Sequence, residues 1–169
     1  MFLSNIDIEK AIKNKEIIIK PFPKKEQFTQ AGIDITLSDE FYLPKEEFFG
    51  KIIDPEEINY SELYELKKTN SIFLKPGDLV LAKTVEEIYV SNKIIGFMDG
   101  RSRFARIGLA VHVTSSLIQP GSKNRQILEI SNLSNSVIKL KKGMKISQVI
   151  FARLESKTTK PYMKFKTLD

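Results

Sequence analysis

Apolar and polar residues alternate with a period of two over much of this chain, which predicts strands rather than helices. In residues 32–43, Ile33 and Ile35 belong to one face of such a strand, while Asp34 and Thr36 belong to the other. An apolar face and a polar face on the same strand indicate a sheet that covers a core on one side.

Short alternating segments recur along the rest of the chain and are separated by turn residues such as Pro76-Gly77, Pro120-Gly121 and Lys142-Gly143. The predicted strands are residues 16–20, 32–43, 71–74, 79–84, 87–90, 94–99, 109–113, 126–131, 137–140 and 146–154. Many short strands with regular turns predict an all-β barrel or a jelly-roll-like sandwich.

Two segments depart from the strand pattern. Residues 4–14 predict a short helix, because Ser4 can cap its first turn and because Ile8 and Ala11 share one face. Residues 44–70 are rich in Glu and Lys and predict a looped or weakly helical insertion. The whole chain, residues 1–169, is predicted to be a single domain.

Composition narrows the chemistry. The chain has no cysteine and its only histidine is His112, so it cannot supply the thiolate or multi-histidine ligand sets of catalytic zinc sites. We therefore expect no zinc and no thiol nucleophile, and we expect hydrolytic chemistry to depend on carboxylates, hydroxyls and water, or on a metal carried by the substrate.

Charge and hydropathy narrow the choice of partners. The net charge of +6 suits an anionic ligand, but basic and acidic residues are mixed along the chain, so a small polyphosphate fits at least as well as nucleic acid. No apolar run approaches the ~20 residues of a membrane span, and the N-terminus lacks the pattern of a signal peptide. These features predict a cytoplasmic protein that binds neither membranes nor nucleic acid.

Five motifs occur along the chain, namely AGID at 31–34, GFMDGRSRFAR at 96–106, HVTSSLIQPG at 112–121, ILEISN at 127–132 and KGMKISQVIF at 142–151. In this fixed order they resemble the dCTP deaminase/dUTPase family. The N-terminal SNIDI and Pro161-Tyr162 also match, so that the likeness covers nearly the whole chain apart from residues 44–70. The resemblance implies a mainly β homotrimer of the dUTPase type, a distorted jelly-roll or β-barrel with a short N-terminal helix and active sites between subunits.

The resemblance makes Glu129 the general acid/base of hydrolytic deamination. From the residues alone, a solvent-facing carboxylate on a strand is the commoner explanation for a glutamate between Leu128 and Ile130. The chemistry fits the role, because one positioned carboxylate can deprotonate water, protonate the cytosine ring and protonate the departing ammonia. Thr114 and Ser115 resemble the loop that orients the water, although Ser115 stands where alanine is usual, and His112 is interpreted as a packed or supporting residue.

The same resemblance implies a triphosphate site. Arg101 and Ser102 would contact the phosphates and Arg106 would lie between the phosphates and the catalytic carboxylate, since guanidinium groups bind phosphate oxygens in pairs. Without the resemblance, a solvated basic turn is the commoner reading of these residues. Tyr162 and Gln148 are further candidates for substrate binding, and Mg²⁺ is expected to bind through the triphosphate.

Two departures from the family pattern bear on the activity. Gln119 stands where both enzymes normally carry an aspartate, and a neutral amide cannot act as a base. Because Glu129 is kept while that aspartate is lost, we expect deamination of dCTP, with dUTP hydrolysis or a bifunctional enzyme as the alternative. The predicted substrate is dCTP for deamination and dUTP for the alternative hydrolysis. dTTP is the candidate inhibitor.

The second departure is at the C-terminal end, where the family's tail with Gly and Gln, which closes over the nucleotide, is short or absent after Asp169. This keeps open a different lid, such as residues 44–70, or a nucleotide-binding relative without catalysis. A nucleic-acid-binding barrel is a weaker alternative. Its candidate aromatic residues, Phe48, Phe49, Tyr60 and Tyr64, lie in the insertion and not on a clear strand.

Overall fold

Strands dominate residues 1–162, the part of the chain that the computed structural model describes. The helices are α1 (Asn5–Lys13) and α2 (Ser102–Ala105), with short 3₁₀ turns at Lys25–Gln27, Glu46–Phe48 and Tyr60–Leu63. The strands are β1 (Ile17–Lys20), β2 (Ile33–Pro44), β3 (Tyr64–Lys68), β4 (Ser71–Leu74), β5 (Leu79–Val90), β6 (Ile94–Gly100), β7 (Leu109–Val111), β8 (Leu117–Ile118), β9 (Lys123–Asn132), β10 (Ile138–Lys141) and β11 (Lys145–Arg153).

Nine of these strands form one antiparallel sheet. Its main path runs β7-β9-β5-β2-β11-β6-β8, while β1 pairs with β5 and β3 pairs with β2. The remaining strands, β4 and β10, form a separate antiparallel pair. The prediction of a mainly β protein with a short N-terminal helix is therefore confirmed.

The core is built from the apolar face that the alternation predicted. Ile33, Ile35 and Leu37 of β2 are fully buried, as are Leu128 and Ile130 of β9. Burial of such side chains contributes about 1.5–3 kcal/mol each, so the inward face of every long strand is fixed by its sequence. The residues between them, Glu129 among these, consequently face the other side of the sheet.

The N-terminal helix forms where it was predicted. The Ser4 hydroxyl accepts a hydrogen bond from the Asp7 backbone N–H at 3.3 Å, and the Asp7 carboxylate accepts one from the Ser4 backbone N–H at 3.4 Å. This reciprocal pair satisfies two donors that a helix start leaves open. Ile8 and Ala11 are fully buried and dock the helix on the sheet.

The two strands predicted at 79–84 and 87–90 are one continuous strand, so that prediction was wrong. β5 runs through both segments, with a shift of its register against β9 between Lys83 and Glu87. Glu86 lies in this irregularity and is 2% exposed, where it accepts hydrogen bonds from Gln27 Nε2 at 2.9 Å and the Thr36 backbone N–H at 2.8 Å. A charged residue turned inward breaks the alternation and makes one bulged strand look like two.

The insertion also differs from its prediction. Residues 64–68 form β3, which pairs with the outer part of β2 from Pro44↔Tyr64 to Glu40↔Lys68. Four of its five residues are exposed and it covers little apolar surface, so its sequence carries no apolar alternation to reveal it.

The strand bounds around the predicted catalytic loop shift as well. β7 ends at Val111 and not at residue 113, because His112 has a positive φ of 32°. The two-residue strand β8 (Leu117–Ile118) was not predicted, and β9 begins at Lys123, three residues before the predicted start. Residues 112–116 are consequently free of strand pairing and form the loop between β7 and β8.

Candidate active site

A cavity of about 750 Å³ opens where the β7–β8 loop, β9 and the insertion meet. Five of the residues predicted for the site line it, namely Thr114, Ser115, Gln119, Glu129 and Tyr162. They come from three separate segments. Pairing of β7 with β9 brings the start of the β7–β8 loop to Glu129, and a hydrogen bond from the Tyr162 backbone to the Pro120 carbonyl brings Tyr162 to Gln119. The volume is in the range of pockets that hold a small ligand.

Glu129 projects from the middle of β9 into this cavity. Its cross-strand partner on β5 is Leu81, whose own partner on β2 is Tyr42, and both partners are nearly buried. Residues paired across adjacent strands share a face, so Glu129 stands beside an apolar surface. Its side chain keeps 27% of its exposure, which leaves the carboxylate reachable from the cavity.

His112 is the closest polar neighbour of Glu129. Its Nδ1 lies 2.6 Å from Glu129 Oε2, and the imidazole is only 6% exposed. The two atoms lack the alignment of a hydrogen bond, and neither has a hydrogen-bond partner among residues 1–162. His112 is thus in direct contact with the predicted catalytic carboxylate. The sequence had indicated only a packed or supporting residue and had not identified this contact.

The backbone at His112 is unusual. A φ of 32° is rare for a residue that carries a side chain, and such strain persists only where surrounding contacts hold it. This conformation turns the chain out of β7 while keeping the imidazole on Glu129. The far end of the loop is held by a hydrogen bond from the Met98 backbone N–H to the Ser116 carbonyl at 2.8 Å.

Arg125 lines the cavity, and the carboxylate of Glu40 partly neutralises its positive charge. Its Nη1 donates to Glu40 Oε1 at 2.8 Å and its Nε donates to the Thr84 carbonyl at 2.7 Å. These contacts fix the guanidinium in the bulged region of β5. Arg125 was not predicted for the site, because a basic residue on a strand is indistinguishable in sequence from a solvated one.

Two tyrosines of the insertion also line the cavity and were missed as site residues. Tyr60 lies in the 3₁₀ turn before β3 and Tyr64 is the first residue of β3. Burial, followed by the negative charge of Glu129, raises the pKa of Tyr64 above its ordinary value. Two aromatic residues in a segment rich in Glu and Lys are a sequence signal that could have indicated a site. Only the pairing of β3 with β2, however, places these tyrosines beside β9.

The basic turn lies at a second cavity of about 600 Å³, lined by Arg101, Ser102 and Gln148 among others. Arg101 Nη2 lies 3.2 Å from the Asp34 carboxylate, and its Nη1 donates to the Lys145 carbonyl at 3.0 Å. Gln148 Nε2 lies 3.2 Å from the other Asp34 oxygen. Asp34 is nearly buried and therefore orients both side chains.

Arg106 is separate from both groups. It follows α2 at the helix C-terminus, is exposed, and lines neither cavity. Its guanidinium makes no ion pair within the described part of the chain. Within one copy of the chain, Arg106 therefore does not occupy its predicted location between the phosphates and Glu129. Ser116, in contrast, lines both cavities.

Tyr162 is held over the turn that carries Gln119. Its backbone N–H donates to the Pro120 carbonyl at 2.8 Å. Gly121 has a φ of 88°, and a side chain there would meet Pro161 at 2.6 Å, so only glycine allows this contact. The C-terminal end, where the family's closing tail was predicted to be short or absent, lies outside the described residues.

Two further observations concern metals and membranes. Within residues 1–162, His, Asp and Glu side chains form no cluster of three or more that could hold a metal ion. No helix in this part of the chain has the length and apolar character needed to cross a membrane.

Comparison with known proteins agrees with the motifs. Residues 2–154 match the family described as dCTP deaminase-like. A dCTP deaminase of Buchnera aphidicola subsp. Baizongia pistaciae is 40% identical over 172 residues, which cover 96% of this chain and 89% of the relative. A dCTP deaminase of Shewanella oneidensis is 33% identical over 175 residues, which cover 98% and 91%.

Solved structures show the same fold. The 2'-deoxycytidine 5'-triphosphate deaminase from Agrobacterium tumefaciens aligns with a TM-score of 0.69 at 17% identity over 90% of this chain, which spans 47% of that protein. A mutant dUTPase from phage phi11 of S. aureus, described with a structural Mg(II) ion, aligns with a TM-score of 0.55 at 12% identity over 89% of this chain and 99% of that one. With its motifs, its curled antiparallel sheet and its full-length relatives, the chain belongs to the dCTP deaminase-like family.

Proposed function

We propose that this protein catalyses the hydrolytic deamination of dCTP to dUTP and ammonia, a step of pyrimidine deoxynucleotide metabolism. The observation that carries the proposal is the place of Glu129, a partly sheltered carboxylate beside an apolar strand face in a cavity that fits a small ligand. Membership of the dCTP deaminase-like family supports the choice of substrate.

The chemistry needs two protons to be moved by the carboxylate. Glu129 accepts a proton from water as the oxygen bonds to C4 of cytosine and delivers it to N3. It then takes the proton of the new C4 hydroxyl and passes it to the amino group, so that the C4–N bond breaks, the C4 carbonyl forms and ammonia leaves. Thr114 and Ser115 hold the water, since both line the same cavity as Glu129. His112, 2.6 Å from the carboxylate, fixes its orientation.

The triphosphate binds at the basic turn. Arg101, Ser102 and Arg106 supply its donors, with Gln148 and Tyr162 completing the site and Mg²⁺ arriving on the phosphates, which it binds readily. A homotrimer accounts for the separation of Arg106 from Glu129, because a neighbouring subunit can bring its basic turn to this carboxylate. dTTP, which shares the sugar and phosphates, is the expected inhibitor. A substrate from the nucleotide pool also fits a cytoplasmic location.

Hydrolysis of dUTP to dUMP and pyrophosphate is the second candidate, and the fold shared with phage dUTPases favours considering it. Gln119 argues against it. Its amide lines the cavity and can donate to the sugar hydroxyl, but it cannot accept the proton of an attacking water.

A product assay with dCTP and, separately, dUTP, each with Mg²⁺, tests the proposal. Ammonia and dUTP formed from dCTP are the expected products. Pyrophosphate and dUMP from dUTP alone would overturn the proposal in favour of a dUTPase, and both sets of products would identify a bifunctional enzyme. Tight nucleotide binding without any product would instead identify a binding protein.

A further inference from the structure

The short strand β3 places a tyrosine of the insertion on the same sheet face as Glu129. The register pairs Leu66 with Tyr42, Tyr42 with Leu81, and Leu81 with Glu129. Paired residues on adjacent strands share a face, and so do residues two apart on one strand. Tyr64, two residues before Leu66, therefore stands on the face from which Glu129 projects.

The cavity brings the two side chains towards the same space. Both Tyr64 and Glu129 line it, and the tyrosine is half-buried there. His112 from the end of β7 and Arg125 from its own strand line this cavity with Glu129, as do Tyr60 and Tyr162. From β5, the apolar Leu81 and the buried Lys83 share the same sheet face, and Lys83 lies 3.9 Å from Glu40. Arg125 is already bound to Glu40 at 2.8 Å.

The Tyr64 hydroxyl remains a donor in this setting. Burial and the charge of Glu129 both raise its pKa, so the phenol stays protonated throughout the neutral range. A neutral phenol offers one O–H and costs the site no additional negative charge. Its ring meanwhile supplies an apolar side wall, which suits the flat face of a pyrimidine.

We propose that Tyr64 is a further substrate-facing residue of this site, whose ring walls the pyrimidine and whose hydroxyl donates a hydrogen bond to Glu129 in the nucleotide complex. The proposal rests on the deaminase function proposed above. A hydrogen bond to the carboxylate stabilises its ionised form, which is the form that accepts the proton of water.

The kinetic test compares Y64F with Y89F. Tyr89 is a half-buried tyrosine on β5 outside the lining of this cavity, so its variant is a matched control. Y64F keeps the ring and should lower kcat for dCTP deamination about tenfold, the usual effect of one hydrogen bond to a charged group, with a smaller change in KM. The acidic limb of the pH profile of kcat, which reports the nucleotide complex, should move to higher pH. Unchanged kcat and pH profile in Y64F would overturn the role.

A titration that needs no turnover tests the geometry. Tyrosine ring carbons are followed by NMR from neutral to alkaline pH in the wild type and in E129Q, with circular dichroism to verify folding. The pKa of Tyr64 should fall in E129Q because the neighbouring charge is gone, while that of Tyr89 should stay. An unmoved Tyr64 would contradict the proposal whatever the enzyme's activity.

Failure of the deaminase function has a different signature. If the wild type releases no ammonia from dCTP, the proposed function falls, and calorimetric binding of dCTP to Y64A and Y89A decides the place of Tyr64. If dCTP binds more weakly to Y64A but not to Y89A, and if the pKa of Tyr64 falls in E129Q, Tyr64 still lines a nucleotide-binding site. Equal binding in both variants excludes it.

Discussion

The side chain of Glu129 has two contrasting neighbours. One carboxylate oxygen lies 2.6 Å from the imidazole of His112, and the strand face beside it carries the nearly buried Leu81. The imidazole contacts the carboxylate directly, while the apolar side chain lies on the same strand face. This combination suits a group that must take and return protons at one position, and a mid-strand location makes it rigid.

The first prediction concerns Glu129→Gln, which keeps the shape of the side chain and removes its ability to shuttle protons. We expect ammonia release from dCTP to fall by about 10²–10⁴-fold or more, the usual contribution of a general acid/base. The affinity for dCTP, measured by calorimetry, should change little. Lost binding with normal turnover of the nucleotide still bound would contradict the role.

At the scale of the elements, Asp34 connects β2 to the turn before α2 and to β11. It faces Arg101 before α2 at 3.2 Å and Gln148 on β11 at 3.2 Å, so that one carboxylate positions two residues of the second cavity. Arg101 keeps 29% of its exposure and thus retains donors for a ligand. The contacts of Asp34 thereby hold the start of the basic turn against β2 and β11.

The second prediction is that Asp34→Asn destabilises the protein. Arg101 would lose the partner of a largely buried ion pair, at a cost of about 2 kcal/mol once the partial exposure of Arg101 is considered. The exposed pair Asp39–Lys142 is the control, and Asp39→Asn should cost much less stability because water screens this pair. Urea unfolding of both variants measures the difference, and equal stabilities would show that Asp34 does not hold the turn.

A third prediction concerns the junction between the N-terminal segment and β11. Arg153 hydrogen-bonds Glu16 at 2.7 Å and lowers the pKa of Glu16 below its ordinary value of 4.5. Because the pKa of Glu16 is lowered in the folded state, the ion pair stabilises the protein at pH values above the ordinary pKa. This stabilisation disappears as the pH falls through the folded-state pKa. Glu16→Gln should therefore lose about 0.2–1 kcal/mol at neutral pH and nothing at strongly acidic pH. Thermal unfolding across pH checks it, and a constant deficit would exclude the ion pair as its cause.

At the scale of the whole molecule, the carboxylate and the basic turn occupy different cavities of one chain. Glu129 lines the first, Arg101 and Ser102 line the second, and Arg106 lines neither. In the proposed trimer, a nucleotide would contact Glu129 of one subunit and Arg106 of the next. A closed ring repeats this arrangement at each interface.

The fourth prediction is complementation between inactive variants. If each site takes its carboxylate from one subunit and its basic turn from the next, random assembly of equal amounts of Glu129→Gln and Arg106→Ala subunits restores about a quarter of all sites. The mixture is prepared by co-expression, and ammonia release is compared with that of each variant alone. Activity no greater than that of the variants would place both groups in one subunit. Light scattering verifies the trimer.

Much of the secondary structure was predictable because burial imposes a period on each strand. The alternation through Ile33, Ile35 and Leu37 identified β2, and Ser4 with Asp7 identified α1. β3 was not predictable, since it is an exposed edge strand without apolar alternation. The continuity of β5 was hidden by Glu86, whose partners Gln27 and Thr36 are distant in sequence.

By itself the sequence determined the family, the mainly β fold and the candidate residues, because these depend on local periodicity and on motifs of short range. Only the tertiary structure decided which candidates meet. It placed His112 on Glu129, brought Tyr64 of the insertion to the same cavity, and gave Arg101 to Asp34. Such contacts depend on strand register and sheet order, which join residues far apart in the chain and leave no periodic trace in it.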